Sequence, residues 1–108
     1  MAQDFRNVLV RTIGTGDTTL LAGGNYDAVI GIRCCNITTS TIAIDVKIAK
    51  GGADYFLAKG VSVPPNSAIE LIQGGAKIVL ESGDTLEAVS SASSSLDVVL
   101  SYIDTISS

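Results

Sequence analysis

The sequence has no histidine and no tryptophan, and the first absence removes much of the usual chemistry. Without histidine, Ser-His-Asp and Cys-His catalysis and most zinc sites cannot be built. The cysteines Cys34 and Cys35 are adjacent, and in a strand they point to opposite faces, so we expect free thiols, typical of a protein that folds in a reducing cytosol. We predict that the chain is not an enzyme and has no catalytic, cofactor-binding or metal-binding residues.

Charge is also scarce, because only 17% of the residues are charged, whereas about a quarter is usual in soluble domains. The seven Lys and Arg residues are spread singly and the net charge is −4, so we expect no nucleic-acid partner. There is no signal-peptide pattern and no run of about 20 apolar residues, so we expect neither a secreted precursor nor a membrane protein. A weakly charged surface predicts a chain that hides part of itself against neighbours.

Carboxylates in predicted turns and edges are the remaining candidates for chemistry. Paired carboxylates can perform acid–base chemistry when burial raises one pKa, and loop carboxylates can bind calcium. The spacing here is typical of solvated turns, and no regularly spaced calcium loop is present. The acid–base candidates are Glu70, Glu81, Asp84 and Glu87, and the alternative calcium ligands are Asp17, Asp27 and Asp84.

Alternation of apolar and polar residues at period two predicts an all-β chain, and no segment has the helical period of about 3.6 residues. The clearest case is residues 41–50, where Ile42, Ile44, Val46 and Ile48 alternate with Ala43, Asp45 and Lys47. No helix pattern follows the glycines at 14–16 and 74–75, so we interpret them as turn glycines. The predicted strands are 8–13, 28–37, 41–50, 55–58, 68–72, 76–81, 85–88 and 96–103, with short extended pieces at 20–21 and 61–63.

Eight or nine short antiparallel strands with Gly or Pro turns predict one β-sandwich of jelly-roll type over residues 1–108, with residues 1–7 as a candidate extended N-terminal arm. Residues 76–88 are the organising stretch, predicted as two strands paired through a tight turn at 82–84. Residues 90–95 are predicted as a surface loop. The last strand is apolar on both faces, which is typical of a central or covered strand.

Some apolar positions are predicted to point away from the core and to be covered by another subunit: Val29, Cys35, Val99 and Ile103. If residues 55–58 form a strand, one ring of the Tyr55-Phe56 pair must face outward. Such a tyrosine could stack on a sugar or fill a partner's pocket, or it could simply hold its hydroxyl in water at an edge.

Strand-and-turn phrases over nearly the whole chain carry a resemblance to a family: 12–14, 27–33, 67–72, 74–80, 83–86 and 95–98. They resemble small virion structural proteins of tailed bacteriophages, such as those of cyanophages. The resemblance implies a β-sandwich subunit on the particle, assembled in the host cytoplasm. It would be a capsid decoration or cement protein that contacts the major capsid protein and its own copies, with a trimer favoured. A neck, tail or fibre component is the alternative, and no functional residues transfer.

A rival prediction is a carbohydrate-binding module that recognises host glycans, with Tyr26 or Tyr55 against the sugar. An enzyme is the third class, and the missing histidine and the lack of clustered polar groups argue against it.

Overall fold

The computed structural model describes residues 5–23, 27–72 and 77–104. Those residues contain strands and no helix, which confirms the prediction of an all-β fold. The strands are β1 (Phe5–Ile13), β2 (Thr18–Ala22), β3 (Asp27–Asn36), β4 (Ile42–Lys50), β5 (Ala53–Val63), β6 (Ala68–Glu70), β7 (Ile78–Leu80), β8 (Thr85–Ser90) and β9 (Leu96–Ile103).

The strands form two antiparallel sheets, as the predicted β-sandwich requires. The first sheet has the order β1-β9-β3-β6, and β7 also pairs with β3. The second sheet has the order β2-β8-β4-β5. Along β3, Arg33–Cys35 pair with β6 and Asp27–Val29 pair with β7, so β6 and β7 follow one another along the same edge. The last strand, β9, lies between β1 and β3, so the central place, one of the two alternatives predicted for it, is the one observed.

The core lies between the two sheets and follows the predicted alternation. On β4, Ile42, Ile44 and Val46 are buried, and Val98 and Leu100 of β9 face them from the first sheet. β-Branched residues at every second position give a strand one apolar face, and the core forms where the apolar faces of the two sheets meet. Among the described residues, the fully buried large apolar side chains are Ile13, Val29, Ile32, Ile44, Val46, Val63, Leu80, Leu86, Leu96, Val98 and Leu100.

The predicted strand pair of residues 76–88 is wrong in its pairing, although its turn is present. Asp84 N donates to Glu81 O (3.0 Å), and Glu81 N donates to a carboxylate oxygen of Asp84 (2.9 Å). β7, however, pairs with β3 in the first sheet, whereas β8 pairs with β2 and β4 in the second. The turn therefore carries the chain across the core. Alternation reports which face is buried, and it does not report which strand is the partner.

The predicted outward position of Val29 is also wrong, because this side chain is fully buried. The register between β3 and β9 shifts between Val29 and Gly31, which leaves Ile30 as the extra residue of a bulge. A bulge reverses the alternation on one side of it. Ile30, predicted to share the buried face of Ile32, is consequently half-buried and borders a surface depression beside Phe5 and Ser101.

Three smaller differences concern the ends and continuity of strands. β5 is one continuous strand where two pieces were predicted, and its register with β4 shifts twice. Gly60 lies at one of these shifts, with a φ of 64°, and its backbone N–H donates to the side-chain carboxylate of Asp45 (2.7 Å). β1 begins at Phe5, so residues 5–7 of the predicted arm pair with β9, and residues 1–4 lie outside the described residues. In the predicted surface loop, Ser90 and Ser95 are buried, with hydroxyl oxygens 2.5 Å apart.

Candidate assembly surface

The outward face of the first sheet carries a group of exposed apolar side chains on neighbouring strands. Phe5 is 77% exposed, Leu9 67%, Val79 50% and Val99 46%. Leu9 and Val99 are directly opposite each other on β1 and β9. Phe5 is opposite Ile103, Ile103 is opposite Ala28, and Ala28 is opposite Val79, so an apolar row crosses the sheet. We call Phe5, Leu9, Val79, Val99 and Ile103 the outer patch.

The sequence located part of this patch. Val99 is exposed as predicted, and Ile103 and Cys35 are half-buried on faces turned away from the core. Phe5 and Leu9 were missed, since a half-buried strand and an edge strand have similar patterns. The run Val8-Leu9-Val10, apolar on both faces, is the signal that could have identified Leu9, because the second sheet covers only one face of β1.

Ion pairs border the outer patch. Arg33 is opposite Val99 on one side and Glu70 on the other, and its Nε lies 2.6 Å from a carboxylate oxygen of Glu70. Arg6 forms an ion pair with Asp104 at the opposite border. Exposed pairs of this kind add little stability, typically below about 1 kcal/mol. An apolar centre with charged residues at its margin has the anatomy of a protein–protein contact surface.

The outward face of the second sheet is charged instead. Nζ of Lys47 lies 3.1 Å from a carboxylate oxygen of Asp17 and 3.1 Å from one of Asp54. These two hydrogen bonds, of which the one to Asp17 has the larger effect, raise the pKa of Lys47 above its usual 10.5. Glu87 is directly opposite Lys47 on β8, and Asp45 lies two residues before it. The two faces therefore differ: the first carries the outer patch, and the second carries the charged cluster around Lys47.

A second exposed apolar group lies on β5, which forms one edge of the second sheet. Tyr55 is 59% exposed, Phe56 43% and Leu57 38%. We call these three residues the edge cluster. Nζ of Lys59 lies 4.3 Å from the ring centroid of Phe56, within the range of a cation–π contact. One outward ring was predicted here, and both rings are exposed at this open edge, with Tyr55 opposite Ile48 and Phe56 opposite Lys47. Tyr26 lies outside the described residues.

Three of the four acid–base candidates, Glu70, Glu81 and Asp84, are held in ion pairs. Asp84 is buried and accepts the turn hydrogen bond from Glu81 N, and its other carboxylate oxygen lies 3.4 Å from Nζ of Lys50. The same ammonium group lies 3.0 Å from Glu81. The hydrogen bond to Glu81, followed by the charge of Asp84, raises the pKa of Lys50. The carboxylates of Glu81 and Asp84 thus neutralise Lys50 and fix the turn. Glu87 lies elsewhere, on the outward face of the second sheet opposite Lys47.

The calcium candidates are distributed over different elements. Asp17 precedes β2 and pairs with Lys47, Asp27 is buried at the start of β3, and Asp84 belongs to the turn before β8. In the ranges 5–23, 27–72 and 77–104, no group of three or more Asp, Glu, Cys or His residues has the geometry of a metal site.

Both cysteines are free thiols, as predicted, and they lie in different environments. Cys34 is fully buried in the core, and Cys35 is half-buried. Burial, followed by the nearby charge of Glu70, raises the pKa of Cys34 from 9.0 to about 12. A thiol that stays protonated is a poor nucleophile, so Cys34 acts as a small apolar core residue.

Among the described residues, the structure has no helix of the length and apolar composition that would be needed to cross a bilayer.

The architecture defines the chain as an all-β sandwich with an apolar patch on one outer face and a charged cluster on the other. Two crystal structures of a pentameric capsid protein isolated from metagenomic phage sequences have a similar fold, with TM-scores of 0.53 and 0.50 and 18% sequence identity in both cases. The alignments cover 94% of this chain and 62% and 64% of those chains, so this chain spans about three fifths of their length. No protein-family model matches the sequence, and no curated protein sequence matches it.

Proposed function

We propose that this chain is a structural protein of a phage virion, of the capsid decoration or cement kind. In this role it stabilises the shell through contacts with the major capsid protein and with its own copies. The observation that carries the proposal is the outer patch, an apolar surface across neighbouring strands of a weakly charged protein. An exposed apolar patch with a charged margin is typical of a surface that a partner covers. The similarity of fold to a phage capsid protein supports the same assignment.

The strand order supports a jelly-roll topology as part of this proposal. If β6 and β7 are counted as one interrupted strand, the chain has eight strands, and the sheets have the orders 1-8-3-6 and 2-7-4-5. Every connection except that between β4 and β5 then crosses from one sheet to the other. This order is that of a two-sheet barrel folded as paired Greek keys.

The remaining parts of the proposal concern oligomerisation and location. We infer a non-enzymatic homo-oligomer, located in the virion and assembled in the host cytoplasm. The sequence resemblance favours three subunits, whereas the capsid protein with a similar fold is described as pentameric. Native mass spectrometry of the full chain would decide between these numbers.

Incorporation into particles tests the proposed function. A double variant, Val79→Glu with Val99→Glu, puts two charges on the outer patch, and both positions are exposed, so folding should be retained. We expect the variant's copy number in purified particles, measured by quantitative mass spectrometry, to fall about tenfold or more, because charges in the centre of a contact must be desolvated. Ser62→Glu, at an exposed position of β5, is the matched control and should be incorporated normally. Absence of the wild-type chain from particles, or normal incorporation of the double variant, would contradict the proposal.

The edge cluster favours a second candidate, a tail or fibre component that binds host glycans. Exposed aromatic rings such as those of Tyr55 and Phe56 can stack on sugars. A glycan array with the full chain tests this candidate. Saturable glycan binding that is lost in Tyr55→Ala, together with immunogold labelling of the tail, would support the tail or fibre component over the shell protein. Labelling of the shell without glycan binding would reject the tail or fibre component.

A further inference from the structure

Two opposite lateral edges of the sandwich carry exposed apolar side chains. β1 is an edge of the first sheet, and across the core it contacts β2 and β8, which lie at one side of the second sheet. β5 is at the other end of the order β2-β8-β4-β5. Phe5 and Leu9 on β1 and the edge cluster on β5 are therefore on opposite sides of the molecule.

Phe5 and the edge cluster also lie at the same level along the strands. In the first sheet, the row that contains Phe5 ends at Val79, immediately before Leu80. In the second sheet, Tyr55 is opposite Ile48, and Ile48 is opposite Leu86. The crossing turn at 81–84 joins these two rows. Phe5 and the edge cluster consequently lie in the half of the sandwich that is next to this turn, and Leu9, in the middle of β1 and opposite Val99, extends the apolar group away from the turn.

We propose that copies of this chain associate head to tail, so that Phe5 and Leu9 of one copy pack against the edge cluster of the next and close a ring. The inference rests on the proposed function and names the partner as a second copy of the chain. Groups at one level on opposite sides can meet through rotation about an axis roughly parallel to the strands, which generates a closed ring. A two-fold contact through either edge alone would leave the aromatic side chains of the other edge in water.

The sizes of the two apolar groups agree with this contact. A fully exposed aromatic side chain presents on the order of 150–250 Å², so each group exposes roughly 250–300 Å². One head-to-tail contact would cover one group of each kind, roughly 550 Å² in total. That area would form the apolar centre of a standard interface of about 1,600 Å².

The contact is one between side chains, because charged groups near the two edges are held in ion pairs within the chain. Arg6 pairs with Asp104 beside β1, Asp54 of β5 pairs with Lys47, and Glu70 of β6 pairs with Arg33. The apolar side chains therefore supply the contact, and these ion pairs lie at its margin. Irregular register and a charged residue on β5 disfavour hydrogen-bonded strand addition at this edge.

Two edge variants of the full chain test the arrangement by mixing. One carries Phe5→Glu with Leu9→Glu, and the other carries Tyr55→Glu with Phe56→Glu. Each variant keeps one intact edge. We expect wild-type rings of a single size by native mass spectrometry, and monomers for each variant alone, with an association constant lowered about tenfold or more. An equimolar mixture should form a heterodimer and stop there, because only one pair of intact edges remains. Ser62→Glu should form rings as the wild type does.

The outcomes separate this inference from the proposed function. If either variant alone still forms rings, or if the mixture stays monomeric although circular dichroism shows both variants folded, the head-to-tail contact is wrong. If the wild-type chain is monomeric at high concentration but is still found in purified particles, the ring is wrong and the virion role remains. If the wild type forms rings but is absent from particles, the virion role is wrong and the contact remains.

Discussion

At the scale of single residues, the buried polar side chains show why some positions could not be predicted. Asn36 is fully buried, and its side-chain nitrogen donates to the carbonyl groups of Ser40 (2.7 Å) and Val63 (3.0 Å). Its side-chain oxygen accepts from N–H (2.9 Å) and hydroxyl (2.8 Å) of Thr38. A buried amide must be satisfied in this way, since an unpaired group costs about 1–3 kcal/mol. In the sequence, Asn36 simply looks like the start of a turn, because its partners come from two separate segments.

Cys34 provides a prediction at this scale. Its pKa is raised from 9.0 to about 12 in the folded chain, so the unfolded chain loses this proton first as the pH rises. The stabilisation that this protonated thiol provides is complete below pH 9 and is lost as the pH rises from about 9 to about 12. We expect the free energy of unfolding, measured by urea denaturation, to fall over this range in the wild type and to fall less steeply in Cys34→Ala.

The comparison is clearest between pH 9 and 10.5, below the range in which Lys47 and Lys50, whose pKa values are raised from 10.5, begin to contribute. Equal slopes in this window for the wild type and Cys34→Ala would show that Cys34 titrates alike in both states. Reactivity gives an independent check. In the folded wild type, a thiol reagent should modify Cys35 before Cys34, because only Cys35 is partly exposed.

At the scale of elements, the strands could be predicted and their partners could not. The alternation of Ile42, Ile44 and Val46 identified β4, because a strand with one buried face has apolar residues at every second position. The partners of β7 and β8 depend on whether a short turn folds back or crosses the core, which tertiary packing decides. The bulge at Ile30 inverted the predicted face of Val29 for a related reason, since an extra residue in one strand is defined only relative to its neighbour.

Gly23 provides the prediction that belongs to this scale, because it packs against the crossing turn. Its N–H donates to Asp84 O (2.7 Å), and an added methyl group would collide with the carbonyl oxygen of Glu81 and lie 3.2 Å from that of Asp84. Backbone atoms cannot move aside as a flexible side chain can. We expect Gly23→Ala to lower the free energy of unfolding by about 2 kcal/mol, measured by urea denaturation.

Gly16→Ala is the matched control, because an added methyl group there meets no atom within 4 Å. It should change stability by less than about 0.5 kcal/mol. If the two variants are equally stable, the close approach of Gly23 to the turn does not constrain the fold.

At the scale of the whole molecule, the contrast between the two outer faces is the property that the sequence showed least clearly. Val99 was identified from β9 alone, because that strand is apolar on both faces. Phe5, Leu9 and Val79 join Val99 only when β1, β9, β3 and β7 are placed side by side. The charged coat around Lys47 likewise draws its members from separate segments. An apolar patch on one face and a charged cluster on the other make the two sides of the molecule distinct, and the proposed function turns the apolar side toward its partners.

Hydroxyl-radical footprinting of purified particles, compared with a dilute solution of the isolated chain, tests the central claim that the apolar face is a contact surface. We predict that oxidation of Leu9, Val79 and Val99 is several-fold slower in particles than in the dilute chain. Oxidation of Ile37, an exposed residue that belongs to neither apolar group, should change little. Equal oxidation of the outer patch in particles and in solution would mean that this surface stays wet, and it would contradict the account.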